Sequence, residues 1–144
     1  LLITLYETYE PVCMKQNLEL KLHLSEESYP AMFTDKDRLF QILCVFMDNA
    51  IQHSKNNSLI EIEVIATEKN IAFSVADHGQ GISDEDKQYI FDRFYSGDKS
   101  HTNKSNFGLG LSIAKELTQM LNGIIIINDT AGGGATFTVK FPLK

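Results

Sequence analysis

The chain has 144 residues, 43% of them apolar and 22% charged, which supports one globular domain with a substantial core and excludes a disordered or membrane-embedded chain. Thirteen Lys and Arg against nineteen Asp and Glu leave a formal charge of −6, the wrong sign for a surface that grips nucleic acid through its phosphates. No run of about eighteen apolar residues exists, so no segment reads as a membrane span.

The chain begins at Leu1 without a charged leader, which suggests a fragment, and residues 1–144 read as one domain. Leu2, Leu5, Tyr6, Tyr9 and Cys13 at helical spacing predict a helix over 2–16, with Pro11 expected to disturb its last turns. Cys13 and Cys44 sit in apolar helical patterns away from any CxxC, as reduced, buried thiols do. Leu18, Leu20, Leu22 and Leu24 alternate with polar residues and predict a half-buried strand. A short strand over 31–33 is expected to pair back onto it.

Thr34 with Asp37 resembles a capping box, so a helix should start near Asp35 and run to about His53. Its apolar positions cover most of the circumference, which implies burial against a sheet. Asn49, Gln52 and His53 share one face near its end. Ile60, Ile62 and Val64, then Ile71, Phe73 and Val75, alternate with small or polar residues and predict two strands about a tight turn. Ser83 and Asp86 suggest a short capped helix carrying Tyr89, Ile90 and Phe91. Residues 96–106 show no periodicity and form either a lid or a long surface loop. Leu111, Ala114, Leu117 and Leu121 mark a helix that Asn122 and Gly123 should close with a left-handed cap. A continuous apolar run at 124–127 and an alternating one at 136–141, joined by Gly132 to Gly134, predict the last two strands.

Asp77 stands where an alternating strand gives way to Gly79 and Gly81, and its carboxylate is either an acceptor for an exocyclic amine or the cap of its own turn. Gly108 and Gly110 precede a helix whose N-terminal amides could meet a phosphate, or they form a tight connector. The sequence has neither GxGxxG nor a lysine-bearing phosphate loop, which argues against dinucleotide folds and Walker-type enzymes. Asn49 is either a Mg²⁺ ligand or a core asparagine satisfied by backbone. His23, His53, His78 and His101 show no metal-ligand spacing. Phe91, Phe94 and Tyr95 are core, and could also anchor the lid or a partner domain. Lys99 and Lys104 could swing onto phosphates or remain solvated.

Asparagine on a helix, DHGQG after a strand, FDRFY, FGLGL before a helix and GGGATF before a final strand, in this order, resemble the ATP-binding domain of sensor histidine kinases over nearly the whole chain. The wider family includes gyrase, Hsp90 and the mismatch-repair ATPases. The resemblance implies an α+β fold: a two-layer α/β sandwich with a mixed, mostly antiparallel sheet and helices on one face. It implies ATP and Mg²⁺ as ligands, with Asn49 on the metal, Asp77 on the adenine amine and His53 near the nucleotide. Gly79, Gly81 and Ile82 would complete the first glycine box, with Phe94 from the aromatic box and Lys104 from the lid. Gly108, Leu109, Gly110 and Leu111 would lie beside the triphosphate, and Thr136 in the third box. The reaction implied is transfer of the γ-phosphoryl to a histidine on a separate helical domain, followed by signalling to a response regulator. The full-length protein would be a membrane-anchored homodimer with this domain in the cytoplasm. Two other functions share the boxes: a degenerate regulatory module and an anti-sigma-type serine kinase.

This sequence departs from the family pattern at Val45, where a second asparagine is common, at Gln52 and Ser96, where lysine and arginine are frequent, and at Asn106, in place of a glycine. Gyrase-like and Hsp90-like relatives carry a water-activating glutamate at the position of Val45. An aliphatic side chain cannot be a general base, so hydrolysis is not the expected activity.

Overall fold

The computed structural model describes residues 1–24, 34–92 and 108–143. Their elements run α1 (Leu2–Lys15), β1 (Glu19–His23), α2 (Lys36–His53), β2 (Leu59–Ala66), β3 (Asn70–Ala76), α3 (Asp84–Lys87), α4 (Gly108–Met120), β4 (Ile124–Asp129) and β5 (Ala135–Pro142). The strands form one five-stranded sheet in the order β1-β2-β3-β5-β4. β1 and β2 are parallel, as two strands joined through a helix can be, and every other pair is antiparallel.

Alternation decides which face of the sheet is covered. Ile60, Ile62 and Val64 of β2, Ile71, Phe73 and Val75 of β3, and Phe137, Val139 and Phe141 of β5 are all buried beneath the helices. Their strand neighbours, such as Glu61, Ser74 and Thr138, are only partly covered, on the open face. α2 supplies Leu39, Ile42, Leu43, Phe46 and Met47 to the core between the layers. The Phe46 and Phe137 rings meet there, with centroids 5.5 Å apart. The expected two-layer α+β sandwich with a mixed, mostly antiparallel sheet is the fold observed.

α1 packs Leu5, Tyr9 and Cys13 inward at intervals of one turn. It continues through Pro11 to Lys15 rather than breaking: the missing N–H deprives only the carbonyl of Glu7, an exposed residue. Asn17, at φ 58°, ends it, with Leu18 N–H donating to the Cys13 carbonyl and Asn17 N–H to that of Met14. The end of α4 repeats this motif. Asn122 takes the left-handed conformation at φ 63°, and Gly123 N–H donates to the Thr118 carbonyl. The expected left-handed cap thus sits on Asn122; at Gly123 a Cβ would strike the Phe141 ring, so packing selects glycine there.

Asp35, not Thr34, caps α2, accepting from the N–H groups of Asp37 and Arg38 at 3.0 and 3.2 Å. Asp35→Ala should therefore cost about 1 kcal/mol in chemical denaturation. α3 is a single capped turn, with Ser83 Oγ accepting from Asp86 N–H, and Ile90 and Phe91 lie beyond it. The isoleucine run of β4 lies at the edge of the sheet rather than in its middle, with Ile124 54% exposed. The strand expected at 31–33 lies outside the described residues.

Candidate nucleotide site

Asp77 is the first residue beyond β3. Its N–H donates to the Ala135 carbonyl at 3.0 Å, so the ladder with β5 continues through it. Its side chain therefore keeps the parity of Phe73 and Val75 and turns under the helices, 2% exposed. Oδ1 accepts from Gly79 N–H at 2.9 Å and from Ala135 N–H at 3.2 Å. Both bonds fall on the same oxygen. Burial pushes the carboxyl pKa up, against the pull of the two N–H groups and of His53 and His78.

Asp77 lines a hollow with Asn49, His53, Gly81, Ile82 and Ala135. Asn49 and His53 lie one helical turn apart at the end of α2, and Asn49 is 6% exposed. Burial lowers the His53 pKa, with Asp77 opposing it more weakly, so the ring is neutral at pH 7. The hollow thus offers a carboxylate, an amide and a neutral imidazole against apolar walls, as ligand sites do.

Two backbone approaches hold this arrangement. A Cβ on Gly79 would fall inside the envelope of the His53 carbonyl, where α2 ends. One on Gly134, at φ 111°, would fall inside that of the Asp77 carbonyl. The loop after β3, the end of α2 and the β4–β5 turn are in direct backbone contact, and only glycine allows it at either point.

Gly108 and Gly110 lie in the first turn of α4 rather than ahead of it. A Cβ on Gly110 would sit 3.5 Å from Val45 Cγ1, an ordinary contact. Val45 is one turn before Asn49, so the second glycine stretch meets α2 beside the hollow. Because Gly110 has room and a helical backbone, Gly110→Ala should leave the melting temperature unchanged or raise it slightly.

The structure brings together Asn49, His53, Asp77, Gly81 and Ile82 in one hollow, with Gly79 packed on His53. Leu111 is buried in the core at 1% exposure instead of lining it. Thr136 is a correction. Strand alternation turns it to the open face, where its Oγ1 lies 2.9 Å from Thr130 Oγ1, and Ala135 takes the place beside Asp77. The side chain of Leu109, like Phe94, Lys99, Lys104 and the rest of 93–107, lies outside the described residues. Lys115, whose Nζ lies 6.0 Å from the Phe91 ring centroid, had no signal beyond its place on α4.

Comparison with known proteins agrees with this fold. The family model described as histidine kinase-, DNA gyrase B- and HSP90-like ATPase matches residues 34–144. The sensor protein CiaH of Streptococcus pneumoniae serotype 4 is 34% identical over 142 residues, which make up 98% of this chain and 32% of CiaH. The signal transduction histidine-protein kinase ArlS of Staphylococcus aureus strain USA300 is 39% identical over 102 residues, 70% of this chain and 23% of ArlS. The chain therefore spans about a third or less of these relatives. Among solved structures, the catalytic domain of histidine kinase ThkA superposes with a TM-score of 0.82 at 24% identity, covering 97% of this chain and 90% of that one. Full-length ShkA in complex with AMPPNP gives a TM-score of 0.82 at 26% identity, over 96% of this chain and 28% of ShkA. With the fold, the order of the boxes and the family match in agreement, the chain belongs to the histidine kinase-, DNA gyrase B- and HSP90-like ATPase family.

Proposed function

We propose that this chain is the ATP-binding module of a sensor histidine kinase, which presents the γ-phosphoryl of Mg-ATP to a histidine on a separate helical domain. The observation that carries the reading is the state of Asp77. It is a buried carboxylate whose two backbone hydrogen bonds converge on Oδ1, at the wall of a hollow, with a pKa raised by desolvation. An exocyclic amine donating to Oδ2 would compensate that burial, and adenine carries one. CiaH and ArlS are named as a sensor protein and a histidine-protein kinase, and ShkA was solved with AMPPNP.

In this reading Asp77 selects the base and the neutral His53 ring borders it. The Asn49 amide oxygen would hold Mg²⁺ brought in with the phosphates. Mg²⁺ keeps several of its waters and needs few protein ligands, so one amide oxygen can serve. Mg²⁺ would supply charge neutralisation at the phosphates. The first turn of α4 offers its amides to them, and Val45 brings no general base to water. The module's contribution is positioning and electrostatics rather than a covalent intermediate.

The acceptor histidine, the response regulator, membrane anchoring, the homodimer and the cytoplasmic placement belong to the same proposal for the full-length protein. Among the described residues no helix is long and apolar enough to cross a membrane. Calorimetry with Mg-ATP tests the ligand: saturable heat in the micromolar to low millimolar range is expected, and no heat at several millimolar would remove the reading.

A further inference from the structure

Asp77 and Ala135 face each other across the end of the sheet. Asp77 N–H donates to the Ala135 carbonyl at 3.0 Å, and Ala135 N–H donates to Asp77 Oδ1 at 3.2 Å, so the two carry the pairing of β3 with β5 one residue further. Residues opposed in this way hold their side chains on one face, with Cβ atoms about 5 Å apart. The Ala135 methyl therefore stands beside the Asp77 carboxyl, on the buried side that Phe137, Val139 and Phe141 continue, and Ala135 lines the hollow.

Ala135 cannot retreat from that place. Gly134, just ahead of it, is in backbone contact with the Asp77 carbonyl, and a Cβ on Gly81 would come within 3.2 Å of the Gly134 carbonyl oxygen. Phe137, the next inward residue of β5, is 2% exposed, and its ring lies 5.5 Å from that of Phe46. The hollow that Ala135 shares with Asn49, His53, Asp77, Gly81 and Ile82 has a free volume of about 10 Å³, room for one water-sized group. An amino group is of that size. A further methyl would have to displace a wall that close packing holds in place.

We propose that Ala135 is a specificity-determining residue, whose methyl limits the space beside Asp77 to an unsubstituted exocyclic amine, so that the site takes 6-aminopurine nucleotides and rejects those alkylated on that nitrogen. The inference rests on the nucleotide reading above. The amine enters the hollow and donates to Asp77 Oδ2, while the purine ring stays outside. A monoalkylated amine keeps one N–H for Asp77, so hydrogen bonding does not exclude it; the exclusion is steric and comes from the wall opposite the carboxylate. Glycine at 135 retains the N–H that holds Oδ1 and opens the space of one methyl. Valine also retains it and fills the hollow with two more methyls, at a strand position that suits a β-branched side chain.

The test is calorimetry with ATP and with ATP methylated on its exocyclic amine, for the unaltered chain, Ala135→Gly and Ala135→Val, once circular dichroism has established which variants fold. The unaltered chain is expected to bind ATP about tenfold or more tighter than the methylated nucleotide, as one misplaced methyl costs in a closed pocket. Ala135→Gly should shrink that ratio to about threefold or less, and Ala135→Val should weaken ATP about tenfold or more. A merely structural role for Ala135 would weaken both nucleotides alike and leave the ratio where it was. If one variant does not fold, the other decides. An unchanged ratio in folded Ala135→Gly, or undiminished ATP affinity in folded Ala135→Val, overturns the assignment and leaves the nucleotide reading standing. No ATP binding by the unaltered chain overturns both.

Discussion

Asp77→Asn is expected to lower ATP affinity by about ten- to a hundredfold while leaving the domain folded, because a hydrogen bond to a buried charged group is worth about 1.5–3 kcal/mol. The asparagine oxygen can keep the bonds from Gly79 and Ala135 N–H, which converge on Oδ1 in the native protein. Its NH₂ then occupies the place of Oδ2 and faces a ligand amine donor to donor. The same NH₂ suits a carbonyl, so inosine and guanosine triphosphates should lose much less than ATP, or gain. Calorimetry with the three nucleotides reads this directly. Equal losses for all three would mean that Asp77 holds the loop rather than reading the base.

Gly79→Ala should be strongly destabilising. The added carbon collides with the His53 carbonyl, which belongs to the last turn of α2 and cannot rotate away as a side chain could. Overpacking against backbone costs roughly 2–4 kcal/mol, and in a domain of this size each kcal/mol lowers the melting temperature by about 2–4 °C. A fall of about 5–15 °C in thermal circular dichroism is expected, against no fall for Gly110→Ala, whose new carbon meets only the Val45 side chain at contact distance. Nucleotide binding should be lost with it, because displacing the loop moves Asp77 and Gly81 away from Asn49.

These two substitutions separate what could be read along the chain from what only the fold reveals. The alternation at 60–64 and 71–75 gives β2 and β3 their buried face, and Asp77 inherits that parity because it follows β3 without a bulge. The spacing of Asn49 and His53 on α2 survives intact. Thr136 is named from the third glycine box of the resemblance, whereas strand alternation with Phe137 turns its side chain to the open face. The buried series Ala135, Phe137, Val139 and Phe141 carried the parity needed to see this. The four isoleucines of β4 suggest burial on both faces, whereas their position at the sheet edge depends on topology. Glycine tolerates both loops and collisions, so the close approaches at Gly79 and Gly134 needed coordinates.

The departures at Val45 and Gln52 matter in the same physical terms. Val45 faces the second glycine stretch one turn from Asn49, where a carboxylate would be needed to activate water. An aliphatic side chain there brings no carboxylate to water, which supports the proposed transfer to a nucleophile from elsewhere.

The most direct measurement mixes this chain with the proposed helical histidine-bearing domain of the full-length protein and ATP labelled in the γ-phosphoryl, in the presence of Mg²⁺. Acid-labile, alkali-stable label is predicted on the helical domain, dependent on Asp77 and Asn49, with none on this chain incubated alone. Stable phosphohistidine on the isolated chain, or transfer undiminished by Asp77→Asn, would contradict the assignment.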